Sequence, residues 1–261
     1  MRAGFIEEPG KAYFKEVPEP QIEKSTDVKI KVVVTGICGS EVHAYHGKHA
    51  WRVPPLVSGH EFAGIVVEVG SDVTSVKVGD RVTAEPQYGC GDCPQCRIGK
   101  YNICKNKKIL GATYWSGSFG EYVVVPEKTV VHLSDDVSFE EGALIEPIAV
   151  GMHAVRERDV SIGQNILIIG AGTIGLGVYL SAKICNPSKI IVADVVDYNL
   201  EMARELGCEY IINSMKENLE AEVKKLTNGE GVDITFLAFG NAPVVESASK
   251  CTKEGGVISE I

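Results

Sequence analysis

The sequence predicts an α/β protein with a β-rich N-terminal domain and a C-terminal parallel sheet wrapped by helices. Three observations carry that expectation. Short β-rich runs broken by Gly, Asp and Pro fill the first half, strands and helices alternate after about Phe139, and hydrophobic residues make up 44% of the 261 against 23% charged. That balance lets a chain bury enough apolar surface to offset its conformational entropy.

Taken in order, VKIKVVV from Val28 alternates apolar and polar residues before turning wholly apolar, and FAGIVVEVG, RVTAE and EYVVVP are further strand candidates. Short strands with frequent turns suggest a barrel-like or sandwich domain. FEEGALIEPIAVGMHAV then reads as helix. After it come NILIIG and TIGLGVYLSAKI, KIIVAD and YNLEMAREL, YIIN and ENLEAEVKKL, DITFLAF and VVESASK, and finally GGVISEI. Such alternation signals a parallel sheet with helical crossovers. In the helix expected over 198–206, Asp197 caps the start, Leu200, Ala203 and Leu206 share a face, and Gly207 suits a left-handed stop. The stretch from Pro147 to Arg158 is expected to be a helix shared by two packed domains.

Charge narrows the function. With 26 basic and 35 acidic residues the formal charge is −9, which opposes a phosphate-tracking nucleic-acid surface or an anionic membrane and makes a small molecule the default partner. The opening MRAGFIEEPGKAYF has no apolar run of signal length, so a cytoplasmic protein with reduced cysteines is expected. The uncharged run from Ile166 to Ala182 fits a strand, turn and helix better than a membrane span.

Four of eight cysteines fall in GCGDCPQCRIGKYNIC. Cys90, Cys93, Cys96 and Cys104, spaced C-x2-C-x2-C-x7-C, can close a tetrahedral thiolate shell on zinc, with Gly89, Gly91 and Gly99 supplying turns. Such a site has no open position and would fold a lobe rather than bind substrate. An iron–sulfur cluster and unligated thiols are the alternatives; the fourth spacing and the absence of a following Pro speak against the cluster. Arg97, Lys100, Lys105, Lys107 and Lys108 make the segment basic, in keeping with a solvated lobe that offsets thiolate charge.

Other candidate ligands are scattered: Cys38 in GICGSEVH, His60 and Glu61 in GHEFAG, and Glu146 in IEPIAV. Singly, each has a plain structural explanation as a small buried thiol, a core histidine or a surface charge. In the second half, GAGTIG places Gly170, Gly172, Thr173, Ile174 and Gly175 between an apolar strand and a helix, where backbone can approach a pyrophosphate. Asp194 closes KIIVAD, where a carboxylate accepts from ribose hydroxyls and repels a 2′-phosphate; no Arg or Lys follows from Val195 to Tyr198. NAD is therefore expected over NADP, the alternative for Asp194 being a loop cap.

Read together and in order, GICGSEVH, GHEFAGIVVEVGSDV, VGDRV, the four-cysteine lobe, GSFGEYVVVP, EPIAV and GAGTIG resemble the zinc-dependent medium-chain dehydrogenase/reductase family of alcohol and polyol dehydrogenases, most of all its sorbitol dehydrogenase branch. The resemblance implies a GroES-like catalytic domain over 1–150 with the zinc lobe at about 88–106, and a Rossmann NAD-binding domain over 151–261. It implies two zinc ions per chain, a catalytic one held by Cys38 and His60 with Glu61 or Glu146, and a structural one in the lobe. Ser40 would start proton release and His43 would continue it, while His46 and His49 carry no motif and read as surface residues. Members of the family usually run further, so the chain is expected to be truncated at the C-terminus, its last strand left without a neighbour, and a homo-oligomer when full-length. The reaction implied is hydride transfer from a secondary alcohol, such as sorbitol, to NAD. L-Threonine 3-dehydrogenase and polyol-phosphate dehydrogenase are the rivals, and a zinc-stabilised non-catalytic binding protein or inactive fragment is the rival of another class.

Overall fold

The computed structural model describes residues 1–261 and divides into two compact units, Met1–Glu146 and Pro147–Ile261. In the first, β1 (Arg2–Glu8) and β2 (Lys11–Glu16) form an antiparallel hairpin that strand patterning had not revealed. Its second strand is almost wholly exposed and lacks the inward-facing apolar alternation that marks a strand in sequence. Next come β3 (Asp27–Thr35), α1 (Gly39–Tyr45), β4 (Phe62–Val69), β5 (Arg81–Ala84), β6 (Gln87–Tyr88), α2 (Pro94–Arg97), β7 (Lys108–Ile109), β8 (Tyr122–Pro126), β9 (Val130–His132) and the start of α3 (Phe139–Glu157).

An antiparallel sheet in the order β8-β3-β4-β5-β9 builds this unit. Its core is the alternating apolar set read from the sequence: Val28 and Ile30 of β3, Phe62 and Val66 of β4, Val82 of β5, Val123 and Val125 of β8, closed by Leu110. Every one of these side chains is withdrawn from solvent, and each contributes roughly 1.5–3 kcal/mol of transfer free energy.

The second unit is a five-stranded parallel sheet in the order β12-β11-β10-β13-β14, from β10 (Asn165–Ile169), β11 (Lys189–Asp194), β12 (Tyr210–Asn213), β13 (Val232–Leu237) and β14 (Thr252–Glu260). Helices α4 (Thr173–Ile184), α5 (Asp197–Glu205), α6 (Leu219–Leu226) and α7 (Ala242–Cys251) connect them. The wholly apolar run of β10 is explained by burial on both faces. Ile166 and Ile168 point into one core with Val178 of α4 and Leu200 and Ala203 of α5, whereas Leu167 and Ile169 join Val223 of α6 and Ala248 of α7 in the other. No helix is long and apolar enough to cross a membrane.

One local expectation fails. Asp197 does not cap α5; Val196 holds that position, and Asp197, the first helical residue, instead accepts from Asn213 Nδ2 at 2.7 Å and Lys216 Nζ at 2.7 Å. A carboxylate in the first turn still opposes the positive end of the helix dipole, so a sequence signal for capping and one for dipole compensation look alike. Leu200, Ala203 and the left-handed Gly207 (φ +92°) lie as expected.

The turn from β10 into α4 is set by one close approach. A Cβ on Gly175 would lie 1.7 Å from the carbonyl oxygen of Gly170, a position no side chain can share. Gly175→Ala is therefore expected to destabilise the chain by at least about 2 kcal/mol through forced backbone displacement, read as a lowered urea midpoint with unchanged m-value. An unshifted midpoint would show that the turn relaxes freely.

Candidate active site

Four segments of the first unit converge on His60. Gly59, at φ +96°, makes the turn before it; a Cβ there would meet the Phe119 ring at 2.5 Å and Ser118 Oγ at 2.7 Å, so the chain can bend here only as glycine. The bend buries both His60 and Glu61. Cys38 sits just before α1, and Glu146 comes from α3. Ligand-capable atoms of Cys38, Glu41 and His60 lie within 4.8 Å of one another, and so do those of His60, Glu61 and Glu146. His60 thus joins two triads that together contain all four residues singled out from the sequence.

Glu41 is the member that sequence reading missed. It is 4% exposed, and its carboxylate is fully engaged. Oε2 accepts from the Cys38 backbone N–H at 2.9 Å, and Oε1 accepts from Ser58 Oγ at 3.0 Å and lies 3.0 Å from His60 Nδ1. Its spacing of three residues from Cys38 at a helix start was the available signal, since such positions share a face. Burial raises the Glu41 carboxyl, but His60, Arg52 and Ser58 outweigh it and hold the group below the usual range. An ionised Glu41 can only accept, so Nδ1 carries a proton and Nε2 is the ring nitrogen left to face a metal, the arrangement that orients imidazole ligands generally.

The donor set fits zinc. A thiol, an imidazole nitrogen and two carboxylates are the ligand types this ion takes in open sites. Burial also raises the carboxyls of both Glu61 and Glu146, as withdrawal from water does for any acidic group. Against burial, which favours the neutral ring, hydrogen bonds to Cys38 and Glu41 raise His60 to about 10 when no metal competes for it. Ser40 Oγ, two residues after Cys38, is buried with no hydrogen-bond partner. His43, one turn later, is exposed, as is His46. His49 departs from the surface placement expected of it: half-buried, its Nδ1 accepts from the backbone N–H of Trp51 and Arg52, each at 3.1 Å.

In the lobe, Cys90, Cys93, Cys96 and Cys104 come together. Sγ separations are 3.6 Å for Cys90–Cys104, 3.7 Å for Cys93–Cys104 and 4.0 Å for Cys90–Cys96. A tetrahedron with zinc–sulfur arms of about 2.3 Å has edges of about 3.8 Å, so these three separations match the edges such an ion requires, and all four sulfurs lie within 4.8 Å of one another. They are far too distant for a disulfide, whose sulfurs are about 2.05 Å apart.

At the nucleotide turn, Gly172 caps α4 with open space where a Cβ would be, and Gly170 adopts φ +101°. Thr173, Ile174 and Gly175 form the first turn of that twelve-residue helix, whose unpaired N–H groups favour an anion. Asp194 ends β11, and its carboxylate accepts from Ala171 N at 2.6 Å, Val195 N at 2.7 Å, Val196 N at 2.8 Å and Asn199 Nδ2 at 3.3 Å. It therefore ties the glycine turn to the loop after β11.

Residues 24–135 match the alcohol dehydrogenase GroES-like domain and residues 173–261 the zinc-binding dehydrogenase domain. The chain is 36% identical to the sorbitol dehydrogenase of Bacillus subtilis over 99% of its own length and 74% of that protein's. It is equally 36% identical to the L-threonine 3-dehydrogenase of Rhizobium johnstonii, over 95% and 72%. An alcohol dehydrogenase of Escherichia coli CFT073, solved in complex with NADH, superimposes with a TM-score of 0.89 at 32% identity, covering 100% of this chain and 75% of that one. Two domain matches in sequence order, relatives aligned along nearly the whole chain, and a thiolate lobe of zinc dimensions place this chain in the family of zinc-dependent, NAD-linked alcohol and polyol dehydrogenases.

Proposed function

We propose that the protein oxidises a secondary hydroxyl of a polyol such as sorbitol, and that Cys38 and His60, with Glu61 and Glu146 alternating as the third ligand, form its catalytic zinc site. The observation that supports this best is that His60 belongs to two triads of ligand-capable side chains, one with Cys38 and Glu41 and one with Glu61 and Glu146, while the hydroxyl of Ser40, two residues after Cys38, is buried without a partner. Bound there, zinc would supply Lewis acidity toward the alcohol oxygen, and NAD would supply the hydride acceptor. Two carboxylates in place of a second thiolate make the site harder and better suited to oxygen ligands.

The remaining roles belong to the chain. Ser40 Oγ has both its donor and its acceptor capacity free, so it can accept the alcohol proton and pass its own onward. His43 follows three residues later on the same helical face and is exposed, a suitable outlet to solvent. Glu41 holds the His60 ring in the orientation that frees Nε2. In the second unit, the α4 N-terminus would take the pyrophosphate and Asp194 the ribose hydroxyls, at a position where a 2′-phosphate would meet a carboxylate.

Equal identity to a sorbitol and a threonine dehydrogenase means that similarity does not choose the substrate. NADH production should be compared with sorbitol, xylitol, galactitol, a polyol phosphate and L-threonine; turnover of the free polyols is expected, and turnover of threonine alone would refute the substrate assignment. Asp194→Asn is expected to raise the KM for NAD about tenfold through loss of charge-assisted hydrogen bonds, and to narrow the preference for NAD over NADP. An unchanged cofactor ratio would remove Asp194 from the ribose site.

A further inference from the structure

The arginine in HAWRVPP lies where a long cation is least expected. Arg52 is 5% exposed and its guanidinium is surrounded by polar groups from four segments. Nη2 lies 3.1 Å from His60 Nδ1 and donates to the Leu110 carbonyl at 3.2 Å; Nη1 lies 3.4 Å from His49 Nε2; Nε is 3.3 Å from Glu41 Oε1. Both Arg52 and Glu41 are buried, so removal of either strands an uncompensated charge.

The same geometry creates a competition. Glu41 and Arg52 both face His60 Nδ1, and they ask opposite things of it. The carboxylate requires a proton on Nδ1, which leaves Nε2 free to ligate. The guanidinium, which has only donors, would be served by a bare Nδ1, which puts the proton on Nε2. Glu41 is held against the ring by the Cys38 N–H and Ser58 Oγ, and the cation that stands beside its Oε1 is Arg52.

We infer that Arg52 is a positioning residue for the zinc site: it anchors Glu41, and through Glu41 it fixes the face His60 presents to the metal. This rests on the assignment of Cys38 and His60 as zinc ligands given above. The guanidinium lies within 3.4 Å of three side chains and a carbonyl, its Nε paired with Glu41 by charge rather than by a hydrogen bond, so a lysine, a single point charge on a flexible stem, cannot take its place.

Cobalt(II) in place of zinc separates the two sites spectroscopically, because the tetrathiolate lobe has its own charge-transfer bands and serves as an internal control for folding. For Arg52→Lys and Arg52→Met, the His60 site is expected to lose about 10- to 100-fold in metal affinity, the range found when outer partners of a ligand are removed, while the lobe retains its metal and its spectrum. In a Glu41→Gln background, Arg52→Met is expected to change affinity by less than about threefold, because its route to His60 is already cut. Arg52→Lys at parental affinity, or losses that multiply in the double variant, would overturn the inference. A parental protein that binds cobalt in the lobe alone would refute the site assignment itself, and the inference with it.

Discussion

His60→Ala is expected to lower kcat/KM by at least about a thousandfold while one zinc per chain stays bound. The size of the effect follows from position. His60 belongs to both triads of candidate ligands, so its removal breaks each, and a Lewis acid contributes several kcal/mol of charge stabilisation, about 4 kcal/mol being a thousandfold in rate. The zinc that remains should be the one in the lobe, whose four sulfurs belong to residues 90–104 and share no ligand with the first site. The check is paired: metal content by atomic absorption and steady-state kinetics on the same preparation. Activity within tenfold of the parent would mean that the chemistry does not depend on this cluster. Loss of both ions would mean that the substitution had unfolded the unit.

Cys104→Ser is expected to have the largest effect on stability. Cys104 is the buried member of the lobe and lies within 3.7 Å of two other sulfurs, Cys90 and Cys93. Structural zinc contributes on the order of 10 kcal/mol to the folding of small zinc-bound modules, because the unfolded segment has no site for the ion. The segment has little else to hold it: α2 spans four residues with none buried, and Ile98 and Ile103 are both exposed. One zinc per chain should be lost, the lobe should become a preferred site of proteolysis, and the thermal midpoint should fall by about 10 °C, as a loss of some 4 kcal/mol implies for a protein of this size. An unchanged midpoint and zinc content would show that the four thiols are held by their own packing.

Where the sequence was legible, the physics was local. The lobe could be read because four thiols in fifteen residues need only turns between them to meet, and the nucleotide turn because strand, glycines and helix are contiguous. The double burial of β10 showed directly as an unbroken apolar run. What stayed hidden depends on contacts across long separations. Arg52 and Glu41 look like ordinary surface charges until folding brings Leu110 and His60 around them. His49 looked exposed because its partners are backbone N–H groups, which every residue has. The β1–β2 hairpin went unseen because its outer strand has no buried face to pattern.

The four hydrogen bonds accepted by Asp194 give it a second task beside the ribose role proposed above. Any attempt to retarget this protein to a phosphorylated dinucleotide would begin by replacing that carboxylate, and would at once unpin three backbone amides near the turn it is meant to redesign. On that proposal one side chain would carry both selectivity and integrity, and a successful switch would need a second acceptor for those amides installed before the first is removed.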